Sequence, residues 1–68
     1  MIRFSLNGEY IELYKLLKVT GLSETGGQAG QAIGEGLVKV DGRIEKRKGC
    51  KIRRGQKVEF RGETITIV

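Results

Sequence analysis

The sequence predicts a small α+β domain in which two helices pack against an antiparallel sheet. Apolar residues follow a helical period twice in the first half of the chain and alternate with polar residues in the second half. Glycine-containing turns separate these segments, and a chain of 68 residues has room for one core only. We therefore expect one domain over residues 1–68, with an N-terminal strand, two packed helices, and then four to five short strands.

The N-terminal segment begins as a half-buried strand and continues into a helix. Three apolar residues alternate with polar ones in the strand: Ile2, Phe4 and Leu6. Asn7-Gly8 is a typical turn. The first helix is predicted from about Ile11 to Thr20, and its inward stripe consists of Leu13, Leu16 and Leu17. Gly21 suits the left-handed position that ends a helix, and Leu22 is placed for the apolar contact that accompanies it.

A second helix is predicted to begin after Thr25. Thr25 and Gln28 have the spacing of a capping box, in which the hydroxyl accepts from a backbone amide and the glutamine side chain reaches back. The inward stripe that follows consists of Ala29, Ala32 and Ile33. Gly36 and Leu37 then repeat the stop signal. Each interior glycine costs up to about 1 kcal/mol relative to alanine, so tertiary packing must hold this helix.

The glycines of this segment, "TGGQAGQAIGEG", raise the alternative of a phosphate-binding loop. The chain has no Gly-Lys pair, which a Walker loop requires, and Gly26-Gly27 follows a helix rather than the strand of a dinucleotide fingerprint. On a helix, three glycines line one strip beside the apolar face: Gly26, Gly30 and Gly34. Such a strip favours the close approach of either the first helix or a nucleic-acid backbone, and both alternatives stay open.

From Leu37 onward the pattern changes to short strands. Asp41-Gly42 supplies the positive φ angles of a tight hairpin turn between "LVKV" and "RIEK". Further glycines separate "CKI", "KVEF" and "ETITIV". The last two segments predict a closing antiparallel hairpin, because their apolar residues alternate with polar ones: Val58, Phe60, Ile65 and Ile67.

The positive charge is concentrated in one third of the chain. The formal net charge is +5, but residues 39–57 carry nine Lys and Arg against two acids, whereas residues 1–38 carry three against four. A charge run is often only a solvated loop, yet this one has no acidic run to neutralise it. Four of its cations belong to one short segment: Lys46, Arg47, Lys48 and Lys51. The sequence therefore predicts a polyanionic partner.

Catalysis, metal binding and membrane insertion are not expected. The chain has no histidine, and its carboxylates form no pair spaced for acid–base chemistry. Cys50 has cationic neighbours that favour a reactive thiol, but a small buried apolar side chain is the stronger interpretation. Tyr10 and Tyr14 suit base stacking, although four residues apart they are better explained as the packing edge of the first helix. Without an apolar run to cross a bilayer or direct secretion, we expect a cytoplasmic protein.

Two helices leading into "GLVKVDG", a basic loop and then "GQKV" resemble the S4 RNA-binding domain, named after the fourth small-subunit ribosomal protein. The resemblance covers about residues 11–60, and nearly the whole chain is similar to the short stand-alone bacterial proteins of the YbcJ type. It implies a non-enzymatic monomer that binds structured RNA, above all ribosomal RNA, through the αL motif formed by the second helix and the following hairpin. By position, the implied RNA-binding residues are Ser23, Thr25, Gln28, Lys39, Lys46, Arg47, Lys48 and Lys51.

The chain departs from the wider family at two positions of the second helix. Many members carry an arginine just after the Ser/Thr and a Lys or Arg just after the alanine, where this chain has Gly26 and Gly30. Affinity should therefore depend more strongly on the basic loop. The alternative function is a ribosome-associated interaction module that contacts a ribosomal protein or an RNA-modifying enzyme rather than RNA.

Overall fold

Two helices and seven short strands make up the computed structural model, which describes residues 1–68. In chain order the elements are β1 (Ile2–Phe4), β2 (Ile11–Glu12), α1 (Leu13–Val19), α2 (Gly26–Gly34), β3 (Lys39–Val40), β4 (Arg43–Ile44), β5 (Lys51–Ile52), β6 (Lys57–Phe60) and β7 (Glu63–Ile67). The predicted α+β class and the pair of helices are confirmed. Neither helix is long and apolar enough to span a membrane.

Five strands form the main sheet, in the order β1-β7-β6-β3-β4. The strands that follow the helices pair antiparallel within it, as predicted. Strand β1 forms one edge of the sheet and pairs with β7 in parallel, which makes the sheet mixed. Strand β5, the predicted "CKI" segment, lies outside this sheet and pairs with β2 in a separate two-stranded ribbon.

The core lies between the helices and one face of the sheet. Fourteen buried residues form a single cluster that contains the predicted stripe of each helix and the predicted apolar positions of the closing hairpin. Its fully buried large side chains include Leu16, Ile33 and Ile65. Burying a side chain of this size stabilises the fold by about 1.5–3 kcal/mol, so the two stripes hold the glycine-rich helix in place.

Helix α1 begins at Leu13, so the predicted start at Ile11 was wrong. Ile11 and Glu12 are extended instead, because they pair with Ile52 and Lys51 of β5. The predicted end is confirmed: Gly21 has a φ of +80°. Leu22, as expected, is half-buried against the core.

Helix α2 has the predicted N-cap at Thr25, but the Gln28 side chain bonds to a different backbone amide from that of a standard capping box. Thr25 Oγ1 accepts a hydrogen bond from the Gln28 amide at 3.1 Å. The Gln28 side chain accepts from the Glu24 amide at 3.3 Å, one residue before the N-cap. At the other end Gly36 has a φ of +79°, as predicted. The Leu37 side chain is nevertheless 56% exposed, so the expected apolar contact is absent, and Val38 is buried instead.

Tight turns close both hairpins of the sheet. Asp41 and Gly42 have φ angles of +52° and +83°, which confirms the predicted turn between β3 and β4. The Asp41 carboxylate also accepts from the Lys57 amide and from the Gln56 side chain, both at 3.0 Å. These hydrogen bonds tie the first hairpin to β6.

Candidate nucleic-acid interface

The segment Glu45–Cys50, called the basic loop below, is fixed by its own backbone. The Glu45 amide donates to the Val38 carbonyl at 3.0 Å, and the Cys50 amide closes a turn onto Arg47 at 3.1 Å. Two carbonyls of the loop then accept from the first turn of α1: Cys50 from Leu13 at 2.9 Å, and Lys48 from Tyr14 at 3.1 Å. The Glu12 side chain makes no capping bond, so the loop itself caps α1.

The glycines of α2 allow close contact with the rest of the chain. A Cβ atom at Gly26 would lie 3.4 Å from the Tyr14 ring, and one at Gly30 would lie 3.3 Å from Lys48 Cδ. Just beyond the helix, a Cβ atom at Gly36 would lie 3.4 Å from Lys46 Cε. The protein's own first helix and basic loop therefore cover Gly26 and Gly30, whereas Gly34 faces open space.

Arg47 is paired within the loop. Its Nε and Nη2 atoms donate to the two Glu45 carboxylate oxygens at 3.0 and 3.2 Å, and its amide donates to the same carboxylate at 3.0 Å. The Arg47 guanidinium, followed by the Arg47 amide, lowers the pKa of Glu45 to about 2. Arg47 thus helps to hold the loop in shape, and Glu45 offsets part of its charge.

Lys46, Lys48 and Lys51 carry charge that no carboxylate neutralises. None of them has an acidic partner at ion-pair distance. The three ion pairs of this chain involve the N-terminus, Lys15 and Arg47. All three are exposed. The loop and the first residue of β5 therefore present lysine ammonium groups on a hydrogen-bonded backbone, which is suited to phosphate binding.

A cleft joins Lys48 to the start of α2. It is lined by Tyr14, Lys48, Gly49, Glu12 and the pair Gly26-Gly27. The amides of Gly26 and Gly27 have no acceptor in the chain, since the cap satisfies only the Gln28 amide. Free amides at a helix N-terminus attract anions, and the neighbouring Lys48 adds a full charge. The cleft can accommodate a phosphate group between them.

Four other predicted site residues do not line this cleft. Ser23 is 7% exposed and sits beside Gln28 in a groove that also contains Glu24 and Glu35. The side-chain oxygens of Thr25 and Gln28 are occupied by the cap. Lys39 is aligned with Glu59 in the sheet, and alternates with the buried Val40, so it faces away from the core. All of the predicted RNA-binding residues remain predictions, and the structure places only Lys48 of them in the cleft at the start of α2. Lys46 lies instead beside Gly36, just after the end of α2.

Tyr10 does not lie on the first helix, so its predicted place on a packing edge was wrong. It precedes β2, is 43% exposed and is absent from the core contacts. Lys51 Nζ and Arg53 Cζ lie 5.1 and 5.7 Å from its ring centroid. Arg53 was not among the predicted residues. The sequence does contain a signal, because polar residues flank the isoleucine in both "YIE" and "KIR", and in a strand those flanking residues face away from the isoleucine. Tyr14, in contrast, is half-buried against the core.

Cys50 is half-buried against the core, which favours the apolar interpretation. Burial and, second, the Glu45 carboxylate raise the pKa of its thiol. A raised pKa disfavours the thiolate and so lowers reactivity at neutral pH. The structure contains no cluster of three side chains suited to holding a metal ion.

Comparison with known proteins yields one family and close relatives. The family model of the S4 domain matches residues 4–68. The YbcJ proteins of Escherichia coli K12 and Shigella flexneri are each 52% identical over 69 aligned positions, which cover 100% of this chain and 99% of theirs. The solution structure of YbcJ from E. coli, described as revealing an αL motif involved in RNA binding, superimposes with a TM-score of 0.76. That match has 52% sequence identity and covers 100% of this chain and 87% of the other.

Proposed function

Because this chain belongs to the S4 domain family, we propose that it is a non-enzymatic RNA-binding protein that holds structured RNA with its basic loop and the start of α2. One observation carries the proposal. The loop is hydrogen-bonded to the first turn of α1 and lies against Gly30 of α2, and its exposed residues Lys46 and Lys48 have no acidic partner at ion-pair distance. The backbone of the loop caps α1, but the two ammonium groups make no ion pair within the chain, and such groups suit a phosphate backbone.

The proposed contacts divide between the helix and the loop. The amides of Gly26 and Gly27, together with Lys48, take one phosphate, while Lys46 and Lys51 take neighbouring phosphates along the strand. Side chains cannot enter the deep major groove of A-form RNA, so this loop recognises the shape and backbone of the helix rather than its base sequence. Phosphate contacts of this kind fix position and contribute most of the affinity.

Ribosomal RNA is the target class that we favour. The domain family takes its name from a ribosomal protein, and ribosomal RNA is rich in the structured helices that such a surface fits. We also expect the protein to act as a monomer in the cytoplasm. Sequencing of RNA crosslinked to the tagged protein in cells would identify the target directly, and a set dominated by messenger RNA would contradict the ribosomal assignment.

A salt titration tests RNA binding. With these three phosphate contacts, the logarithm of the binding constant should fall with the logarithm of salt concentration at a slope of about −3. The affinity of a fluorescent RNA hairpin is measured by anisotropy between low and physiological salt. Binding that is absent, or independent of salt, would contradict the proposal.

Two double variants with equal loss of charge locate the surface. Lys48→Gln with Lys51→Gln removes two proposed contacts, whereas Arg3→Gln with Lys18→Gln removes exposed cations of β1 and α1. Each pair lowers the formal net charge of +5 by two. The first pair should weaken binding and reduce the steepness of the salt slope by about two units, and the second should change both far less.

A protein-interaction module is the second candidate. It is favoured by two large apolar side chains in the region after α2: Leu37 is 56% exposed, and Ile44, on the edge strand β4, is 58% exposed. Crosslinking in cell extract with and without ribonuclease separates the two functions, because a direct protein contact survives digestion of the RNA.

A further inference from the structure

The outward face of the β2–β5 ribbon carries an aromatic ring beside two cations. Ile11 and Ile52 are paired in register and turn toward the core, where Ile52 is fully buried. Side chains alternate along a strand, so the flanking residues turn outward. Tyr10 and Arg53 continue the ribbon by one residue on each strand, and both are exposed.

Tyr10 serves neither the core nor a hydrogen bond of the fold. It is absent from the residues that pack on the core, unlike Tyr14. None of the side-chain hydrogen bonds of the structure involves its hydroxyl. Its ring lies beside Lys51 and Arg53, whose Nζ and Cζ atoms are 5.1 and 5.7 Å from the ring centroid.

The two cations beside the ring have no carboxylate at ion-pair distance. Glu12 lies on the same face of the ribbon, but its carboxylate is bound to Lys15 at 3.3 Å. Lys51 and Arg53 therefore place like charges around one ring without an internal counterion. An anion brought to this point relieves their repulsion, and a flat π-system can use the exposed part of the ring.

We infer that Tyr10, Lys51 and Arg53 form a site for one unpaired RNA nucleotide, whose base stacks on Tyr10 while its phosphate binds the two cations. This inference rests on the proposed function. Lys51 belongs to both surfaces, so the nucleotide lies next to the helix held by the basic loop. The protein thus selects RNA helices interrupted by a bulge or ending in a single strand, and it does so through stacking rather than through base-specific hydrogen bonds.

Three matched RNA hairpins test the inference by anisotropy: one fully paired, one with a single-nucleotide bulge, and one in which the bulged nucleotide is abasic. The wild-type protein should bind the bulged hairpin about tenfold more tightly than either of the others, as one base–aromatic stack predicts. Tyr10→Leu should reduce this ratio to near one, and Tyr10→Phe should preserve it because the ring remains. A fluorescent base analogue at the bulge should be quenched by the wild-type protein and not by Tyr10→Leu.

The outcomes separate the two proposals. Binding of all three hairpins with equal affinity would overturn the nucleotide site and leave RNA binding by the basic loop intact. An equal loss of affinity for all three in Tyr10→Leu, with unchanged thermal stability, would likewise overturn it. Failure of the wild-type protein to bind any hairpin would overturn the proposed function itself. The abasic comparison uses unmodified protein, so it decides the question even where Tyr10→Leu does not fold.

Discussion

The aliphatic stem of Lys48 lies directly over Gly30, where a Cβ atom would come within 3.3 Å of Lys48 Cδ. This contact relates the glycines of α2 to the basic loop. A larger residue at position 30 would push the lysine away from the helix, so the small residue sets where a cation of the loop sits. Gly34, four residues later, has nothing within 4 Å of the corresponding position.

Alanine at these two positions should therefore have different effects. Gly34→Ala gains helix propensity without a new contact, and should raise the free energy of unfolding by up to about 1 kcal/mol. Gly30→Ala has the same intrinsic gain, but it must displace the Lys48 stem by a few tenths of an ångström. Its net stabilisation should be smaller and its RNA affinity lower. Urea unfolding and anisotropy measure the two effects, and equal behaviour of both variants would show that the Lys48 contact is unimportant.

Glu45 should make the basic loop sensitive to acid. Its folded pKa of about 2 lies below the ordinary value of 4.5, so the stabilisation is complete above pH 4.5 and is lost as the pH falls toward 2. The Arg47 side chain is 80% exposed, so solvent screening keeps the contribution of the pair to the free energy of unfolding small. Glu45→Gln should be less stable than wild type at pH 7, and the difference should shrink below pH 4.5. Urea unfolding at several pH values measures this, and a difference that does not depend on pH would contradict it.

Asp41 should stabilise the first hairpin in two ways. Its φ of +52° lies in the left-handed region, where aspartate and asparagine are tolerated better than alanine. Its carboxylate also accepts from the Lys57 amide and from Gln56. Asp41→Ala should lower the free energy of unfolding by about 1–2 kcal/mol, and Asp41→Asn by less, since asparagine retains an acceptor and the backbone preference. Thermal unfolding of the two variants gives the comparison, and equal losses would exclude the backbone contribution.

Local chemistry explains which parts of this structure could be predicted from the sequence. The stripe Leu13, Leu16 and Leu17 and the turn Asp41-Gly42 depend on neighbours in the chain, and both were confirmed. The pairing of Ile11 with Ile52 joins residues 41 positions apart, and a two-residue strand has no period of its own. The helical pattern therefore predicted too early a start for α1, at Ile11. Tyr10 was wrongly assigned to the same helix.

The sequence predicted the positive charge of the candidate site but not the arrangement of its side chains. The run of cations was visible in the sequence, and its exposure is confirmed. Which cations are free depends on the path of the loop: Arg47 turns back onto Glu45, whereas Lys48 crosses Gly30. Neither contact follows a repeating pattern. The glycines had two open explanations, and the structure supports packing for Gly26 and Gly30.

A cation added to α2 should raise RNA affinity at Gly26 but have little effect at Gly30. A Cβ atom at Gly26 meets the Tyr14 ring at 3.4 Å, an ordinary contact, so Gly26→Arg fits and places a new charge at the cleft. It should tighten RNA binding and steepen the salt slope by about one unit. Gly30→Lys instead competes with Lys48 for the same space, and should add little in the wild-type protein. In a Lys48→Ala background, however, the same Gly30→Lys change should recover most of the lost affinity, because the new lysine then takes the vacated place. Salt titrations of the wild-type protein and the four variants measure these effects, and equal gains from Gly30→Lys with and without Lys48 would show that the two side chains do not share one position.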